Sequence, residues 1–461
     1  MGWPFLGETF EFIKQGPKYM RGQRERYGNV FKSHILGSPT VISMDLELNR
    51  YILLNESKGL IPGYPQSMLD ILGHLNIAAV SGPAHKHMRS NMLSLVGTPL
   101  IKDRLLPRLD KYMRIHVSNW DGLVVDLQEK TMDMALMIAF KQIAEAEANL
   151  VYGDFKPEFE KLLAGSLSLP IYFPGTKYYQ GIHGRKNVIK ILKGIMEKRW
   201  DSKVVYDDIL EYLLRDMDAK LNHDEVIDQI ITILYSGYET VSTTSMMAVK
   251  YLHDHPQALQ ELRDEHFRIQ KRKTSAEEPL NWEDIKSMKF TRAVVYETLR
   301  LATVINGVLR KTTEDMTLNG FVIPKGWRIY VYTREINYDP FLYPAPFQFN
   351  PWRWMASTGE GSDAVFDQLL AALCPAFDSC SRCCQQQRFE ALVVEADARI
   401  QESIRKRHVL VTVTNEESAA RVSYASAGLE NDIRTVTEED QQQLRNLFIV
   451  IQFRSGGVYP V

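Results

Sequence analysis

From about residue 85 to residue 310, apolar side chains recur at spacings of three and four residues, most regularly over 224–253 and 284–302. This period places the apolar side chains on one face of an α-helix. Short β-rich runs separated by Gly and Pro occur on both sides of this region, at 30–43 after a helical stretch and at 310–332. Such runs are typical of small hairpins. The pattern therefore predicts a mainly α protein with small β-sheets.

A proline-rich segment and a linker-like segment follow the helical region. Residues 338–354 contain four prolines, each of which removes a backbone donor and restricts the residue before it. We therefore expect an ordered, meandering loop there rather than a helix. After Met355 comes the linker-like run ASTGEGSD. This change of character predicts one domain over 1–355 and a tail of unrelated sequence over 356–461.

Charge and composition limit the classes of partner. The chain has 55 Lys and Arg against 57 Asp and Glu, so no overall field attracts it to a polyanion, and we expect no nucleic-acid partner. Hydrophobic residues at 45% and charged residues at 24% are typical of an ordinary globular core. The N-terminus has no apolar run of about 20 residues, the length that spans a membrane. We therefore expect neither a signal peptide nor a membrane anchor.

All four cysteines lie within residues 374–384. No disulfide framework can therefore span the chain, which favours a reducing compartment. Cys380 and Cys383 form a C-x-x-C pair of the kind found in zinc sites. No second pair follows, and the next histidine downstream is His408, so we expect no zinc site.

Glu297 and Arg300 lie three residues apart on a predicted helix and can pair on one face. Taken alone, such a pair is typical of any solvated helix surface. Arg353, however, is flanked by aromatic residues and prolines, which indicates burial, and a buried guanidinium requires a carboxylate. The three residues are therefore predicted to form one network that holds the 338–354 segment on the helix.

Gly237, Glu239 and Thr240 stand together in the predicted long central helix. A glycine inside a helix costs about 1 kcal/mol relative to alanine, which suggests that something approaches closely there. A Thr hydroxyl can bond the backbone carbonyl four residues earlier and widen the groove. A simple N-cap or an exposed kink remains the alternative interpretation.

His85 and Arg89 lie four residues apart and share one predicted helical face. His87 points to another side of that helix, so His85 and His87 would not bind one metal ion. A cationic pair that holds an anionic group fits this spacing better.

These motifs, in this order and at these distances, resemble the cytochrome P-450 family, and within it the plant brassinosteroid C-6 oxidase group. The resemblance covers about residues 1–355. It is carried by residues 2–4 (GWP), 63–73 (GYPQSMLDILG), 234–244 (LYSGYETVSTT) and 328–354. The resemblance implies a P-450 fold and a haem-dependent monooxygenase that oxidises C-6 of a 6-deoxo steroid. Its reaction uses dioxygen and electrons from an NADPH-dependent reductase.

The resemblance also implies roles for the motif residues. Glu239 and Thr240 match the acid and alcohol that relay protons to dioxygen, and Gly237 matches the residue that leaves room for it. His85, Arg89 and Arg310 match positions that contact the haem propionates. The structural network of Glu297, Arg300 and Arg353 matches the family's triad. Residues 64–72 and the hairpin after Arg300 match segments that line an apolar steroid pocket.

One family feature is missing. After its meander the family carries Phe-x-x-Gly-x-Arg-x-Cys-x-Gly, whose cysteine thiolate binds the haem iron. This sequence does not contain that loop, so we expect the fold to be truncated at the proximal side of the haem. Cys374, followed by Pro375, is the positional candidate for the iron ligand, and no other metal is expected. The alternative interpretation is an inactive relative without haem ligation that binds a steroid or a partner protein.

The resemblance implies a location at the endoplasmic reticulum membrane. The family begins with a membrane helix followed by a proline hinge, and Met1 of this sequence falls within that hinge. Without the helix, the chain itself is expected to be cytosolic or peripheral.

Overall fold

The structure is a computed structural model. It describes residues 7–55, 58–77, 79–80, 82–83, 85–86, 88, 106–120, 123, 125–202, 204–206, 208–215, 222–275, 278–304, 306–355, 412–414 and 450–452. The predicted tail over 356–461 lies outside the described residues except for its two short strands. The domain boundary near residue 356 therefore stays a prediction.

Helices make up most of the described chain and confirm the predicted mainly α class. In chain order they are α1 (Thr9–Gln15), α2 (Pro17–Tyr27), α3 (Leu46–Leu54), α4 (Gln66–Leu72), α5 (Leu106–Ser118), α6 (Leu127–Ile143), α7 (Glu145–Ser166), α8 (Lys177–Trp200), α9 (Ile209–Arg215), α10 (His223–Asp254), α11 (Pro256–Gln270), α12 (Trp282–Ser287), α13 (Lys289–Ala302) and α14 (Arg334–Asn337).

The strands form small sheets, as the sequence predicts. They are β1 (Val30–Ile35), β2 (Ser38–Ser43), β3 (Leu60–Pro62), β4 (Gly307–Thr312), β5 (Met316–Leu318), β6 (Phe321–Ile323), β7 (Arg328–Tyr332), β8 (Thr412–Thr414) and β9 (Val450–Gln452). The largest sheet has the order β1-β2-β7-β4-β3, and β2 pairs with β7 in parallel. Its other pairs are antiparallel. The N-terminal and C-terminal parts of the described domain thus share one sheet.

Helix α10 is the central element of the helical part. It begins at a capping box in which Asn222 accepts from the backbone of Glu225 and Glu225 accepts from the backbone of Asn222. This arrangement satisfies two backbone donors that a helix start leaves open. The helix packs against α6 and α13. Its buried apolar residues belong to three core clusters. One is shared with α6, α7 and α8, one with α5, α12 and α13, and one, through Leu252, with α11 and α13.

Helices α7 and α8 pack very closely, because glycines face each other between them. A Cβ on Gly165 or on Gly181 would lie 2.8 Å from the Cα of the other glycine. The side chain of Ile71 from α4 reaches the same place, where its Cδ1 lies 2.7 Å from a Cβ on Gly165. Larger residues at either position would separate the two helices and displace α4.

Two local expectations differ from the structure. The periodic segment 284–302 is not one helix but two, α12 and α13, with Met288 at the break (ψ 66°). The strand residues at 310–332 do not form one hairpin either. β5 and β6 pair with each other through Asn319 and Gly320, both at positive φ, whereas β4 and β7 pair within the larger sheet.

The proline-rich segment is irregular, as predicted, and ends in a 3-10 turn at Pro351–Trp354. Among the residues that the structure describes, no helix combines the length and apolar character that crossing a membrane requires.

Candidate active site

The middle of α10 carries a short stretch that neighbouring elements do not cover fully. Residues 226–234 are all buried, and so are Val241 and Ser242. Between them, all residues of 235–240 except Tyr238 are only partly buried. Buried turns flank this stretch on both sides, so it is a local gap in the packing around α10.

Gly237 opens onto that space. A Cβ built at Gly237 would meet no atom of another element within 4 Å, so the position is open. Beside Gly237, the hydroxyl of Thr240 donates a hydrogen bond to the carbonyl oxygen of Ser236 at 2.6 Å. This hydrogen bond confirms the predicted link to the carbonyl four residues earlier. A glycine without a steric neighbour and a hydroxyl thus lie on one face of the helix.

Glu239 brings a carboxyl group to the same stretch. Burial raises the pKa of Glu239 above its ordinary value, because the ionised form loses solvation. The side chain makes no hydrogen bond or ion pair to the described residues, so its proton is not committed to a fixed partner. A carboxyl group with a raised pKa is protonated more readily than an exposed one, as a group that transfers protons requires.

Tyr235 is a site residue that the sequence analysis missed. Its hydroxyl lies 3.3 Å from Oγ of Ser166, the last residue of α7. Burial raises the pKa of Tyr235, and the charge of Glu239 one turn later raises it further. The signal in the sequence was its spacing, since Tyr235 and Glu239 lie four residues apart on the helix.

Glu297 and Arg300 form a fully buried pair on α13, with no exposed side-chain surface on either residue. Nε and Nη2 of Arg300 donate to the Glu297 carboxylate at 3.0 and 2.8 Å. Nη1 of Arg300 donates to the carbonyl oxygens of Asn337 and Pro346 at 2.8 and 2.7 Å. The pair therefore joins α13 to the proline-rich segment, and it is not a solvated surface pair.

The 3-10 turn completes the network. Nε of Arg353 donates to Glu297 at 3.1 Å, and the backbone N–H of Asn350 donates to the same oxygen at 2.9 Å. The indole N–H of Trp354 donates to the other oxygen at 2.9 Å. The structure thus brings together the three residues that the sequence analysis grouped, and it adds Trp354. One buried carboxylate accepts every one of these donors, which fixes the turn on α13.

Arg310 and His85 are the two described members of the predicted anion-binding group. Arg310 lies on β4 with no exposed surface, and its strand neighbour in β3 is Pro62. Its backbone is closely packed, because a Cβ on Gly63 would lie 2.4 Å from the Arg310 carbonyl oxygen. His85 is half-buried in a helical turn. Arg89 and Cys374 lie outside the described residues.

The residues of this site fit the haem that the sequence resemblance implies. Gly237 leaves open space on a partly buried stretch of α10, Thr240 supplies a hydroxyl on the same face, and Glu239 supplies an acid next to Thr240 in the chain. Arg310 supplies a fully buried cation of the kind that an acidic group would pair with. Among the described residues, no group of three or more His, Cys, Asp and Glu side chains could hold a metal ion by itself.

Comparisons with known proteins agree with this geometry. A family model described as cytochrome P450 matches residues 1–369. Cytochrome P450 85A1 of Solanum lycopersicum is 60% identical over 357 residues, 77% of each chain. Cytochrome P450 85A2 of Arabidopsis thaliana is 59% identical over 363 residues, 78% of each chain.

A more distant relative and a solved structure extend the comparison. The 3-epi-6-deoxocathasterone 23-monooxygenase CYP90D1 of Arabidopsis thaliana is 34% identical over 370 residues, 77% of this chain and 75% of its own. The structure of retinoic acid bound cyanobacterial CYP120A1 superimposes with a TM-score of 0.75 at 25% identity. That match covers 87% of this chain and 90% of the other.

Proposed function

Because the chain belongs to the cytochrome P450 family, we propose that it is a haem-dependent monooxygenase of brassinosteroid biosynthesis that oxidises C-6 of a 6-deoxo steroid. Two findings support the substrate class. The sequence resembles the brassinosteroid C-6 oxidase group, and relatives named cytochrome P450 85A are 57–60% identical to it. A further relative is itself named for a 6-deoxo steroid substrate.

The observation that carries the proposal is the open position at Gly237 beside Glu239 and Thr240. The raised pKa of Glu239 favours the protonated carboxyl group, which can act as a proton donor. The Thr240 hydroxyl, held by the Ser236 carbonyl oxygen, is oriented to pass a proton along. Gly237 keeps the space free for a small molecule such as dioxygen.

Haem, when bound, supplies the redox chemistry that inserts one oxygen atom into a C–H bond, with electrons from an NADPH-dependent reductase. Cys374 would bind its iron, and Arg310, His85 and Arg89 would hold its propionates. The Glu297 network would act at a distance from this chemistry, by fixing the proline-rich segment on α13.

The apolar pocket that the sequence resemblance implies would suit a steroid. Burying an apolar surface stabilises a complex by about 25 cal/mol per Å², so a rigid, largely hydrocarbon ligand gains affinity from burial alone. The few polar groups then orient the ligand. Tyr235, with Ser166 beside it, is one such group.

The proposal is tested by expressing the chain with haem precursor and recording the reduced, carbon-monoxide-bound spectrum. A red-shifted Soret band and NADPH-dependent oxidation of a 6-deoxo steroid are expected. Cys374→Ala should abolish the red-shifted band, whereas the matched control Cys380→Ala should leave it in place. A wild-type chain that binds the steroid and carries haem, but never oxidises C-6, would overturn the proposal.

Steroid binding without oxidation is a second candidate function. The absence of Phe-x-x-Gly-x-Arg-x-Cys-x-Gly from the sequence favours it, since the glycines of that loop let the backbone support the thiolate. This candidate expects only traces of haem in the purified protein together with saturable binding of the same steroid. Stoichiometric haem with a red-shifted Soret band would exclude it.

By the same resemblance, we propose the endoplasmic reticulum membrane as the location. Fractionation of cells that express the chain checks this, and recovery with another organelle would contradict it.

A further inference from the structure

Arg185 of α8 and Asp228 of α10 form a largely buried ion pair. Their side chains are 16% and 5% exposed, and Nη2 of Arg185 donates directly to Asp228 Oδ1. Asp228 stands within the fully buried stretch 226–234, where its neighbours are mostly apolar. A charged group at such a place is costly unless it is paired and hydrogen-bonded.

The same two side chains also bind the chain that follows α4. Nη1 of Arg185 donates to the carbonyl oxygen of Ile71 at 3.1 Å, and the backbone N–H of Leu75 donates to Asp228 at 3.1 Å. The neighbouring Gln229 donates to the carbonyl oxygen of Leu75 at 2.8 Å. The ion pair therefore joins three parts of the fold, namely α8, α10 and the turn after α4.

Gly73 lies within that turn and is adapted to the pair. It has φ +102°, and a Cβ at this position would lie 2.0 Å from Oδ2 of Asp228. Both the backbone conformation and the close approach require glycine. The turn therefore packs directly against the Asp228 carboxylate.

The segment 63–76, which contains α4 and this turn, lies beside Tyr235 and Ser166 of the site. At its start the backbone N–H of Gly63 donates to the carbonyl oxygen of Leu309 in β4 at 3.0 Å. Tyr64 lies close enough to Tyr235 to contribute to its raised pKa. In α4, Ser67 donates to the carbonyl oxygen of Ser166 at 2.9 Å.

We propose that Arg185 and Asp228 are positioning residues for the substrate pocket. The pair fixes the far end of segment 63–76 against α10, three turns before Glu239, and so sets the height of the space beside the partly buried stretch 235–240. This inference rests on the proposed function, because it takes the occupant of that space to be a steroid. Loss of the pair releases the turn, widens the space and lowers steroid affinity.

An exposed ion pair supplies a matched control. Lys193 and Asp224 join the same two helices at 3.2 Å, but their side chains are 48% and 70% exposed and no described loop is bonded to them. If the Arg185–Asp228 pair only held α8 on α10, loss of either pair would have the same kind of effect, and the two effects would differ only in size. If it positions the turn, only Arg185 or Asp228 variants will affect residues 71–77.

The experiment compares full-length wild type with Arg185→Gln, Asp228→Asn, Arg185→Lys and Lys193→Gln. Hydrogen exchange of peptides covering 71–77 is measured without steroid, and steroid affinity is measured by equilibrium dialysis. We expect exchange about tenfold faster in Arg185→Gln and Asp228→Asn. The dissociation constant for the steroid should rise about tenfold in both. Arg185→Lys should recover part of each effect, and Lys193→Gln should match wild type.

Gly73→Ala provides a second route, because it displaces the turn without removing either charge, and it should reproduce the loss of affinity. Variants that bind steroid as tightly as a binding-competent wild type would overturn the positioning role while leaving the proposed function intact. Wild type that binds no steroid would overturn the proposed function and this inference together. If hydrogen exchange in the Arg185 and Asp228 variants became faster over the whole chain, the pair would have a general stabilising role, and the positioning role would also be overturned.

Discussion

Replacing Glu297 with Gln removes the charge at the centre of the network while keeping the shape of the side chain. In the wild type, this carboxylate accepts two hydrogen bonds from Arg300 and one each from the side chains of Arg353 and Trp354 and the backbone of Asn350. The variant leaves the Arg300 guanidinium, which has no exposed surface, without its anion.

The cost follows from that burial. Removing one partner of a buried ion pair costs about 3–5 kcal/mol, because the other charge stays desolvated and uncompensated. Gln can still accept through its amide oxygen, but its NH₂ group faces guanidinium donors. We therefore expect Glu297→Gln to lower the free energy of unfolding by about 3–5 kcal/mol, a large share of the stability of an ordinary domain.

Urea denaturation followed by circular dichroism measures this loss as a shift of the midpoint. The control is Glu283→Gln, which breaks the exposed pair with Lys286, whose side chains are 78% and 54% exposed. That change should cost no more than about 0.5 kcal/mol. A Glu297→Gln loss below about 1 kcal/mol would refute the argument that buried charge holds the proline-rich segment in place.

Three smaller predictions concern neighbouring groups. Burial raises the pKa of Glu239 above its unfolded value of 4.5, so the folded state binds more protons and the free energy of unfolding falls as pH rises from 4.5 through that raised pKa. Glu239→Gln should remove this fall in a series of urea midpoints, and parallel curves for the two proteins would contradict it. Gly237→Val should change the melting temperature little, since its Cβ meets no other element, yet abolish steroid oxidation. Full activity would contradict the role of that space. Trp354→Phe removes one donor to Glu297 and should cost about 1.5–3 kcal/mol by urea denaturation, whereas no change would show the indole bond to be dispensable.

Features fixed by local periodicity could be predicted from the sequence. Helix α10 follows from its apolar spacing, and the Thr240 hydrogen bond follows from its place within that helix. The irregular course of 338–354 follows from its prolines. These features depend on residues close together in the chain, so the local pattern contains the information.

Features that depend on long-range contacts could not be predicted in this way. Arg185 and Asp228 lie 43 residues apart, and neither shows its partner in the sequence, although a lone Asp within a buried apolar run was a signal. Trp354 entered the sequence analysis only as one of the aromatic residues that flank Arg353, and the role of its indole N–H depends on the contact between the turn and Glu297. Met288 carries no helix-breaking property, but the Glu265 carboxylate of α11 accepts from the backbone N–H groups of Phe290 and Thr291, where α13 begins.

The order of strands in the larger sheet has a consequence for biosynthesis. The hairpin of β1 and β2 can form as soon as residue 43 has left the ribosome, but Thr40 pairs with Arg328 of β7. The edge of β2 that pairs with β7 therefore stays unpaired while the helices between the two strands are synthesised. Closing so long a loop is slow, and an unpaired strand edge invites wrong partners meanwhile. Packing of α6, α7 and α8 before β7 is made would shorten the effective distance, and with it the time during which the strand edge is exposed to chaperones and aggregation.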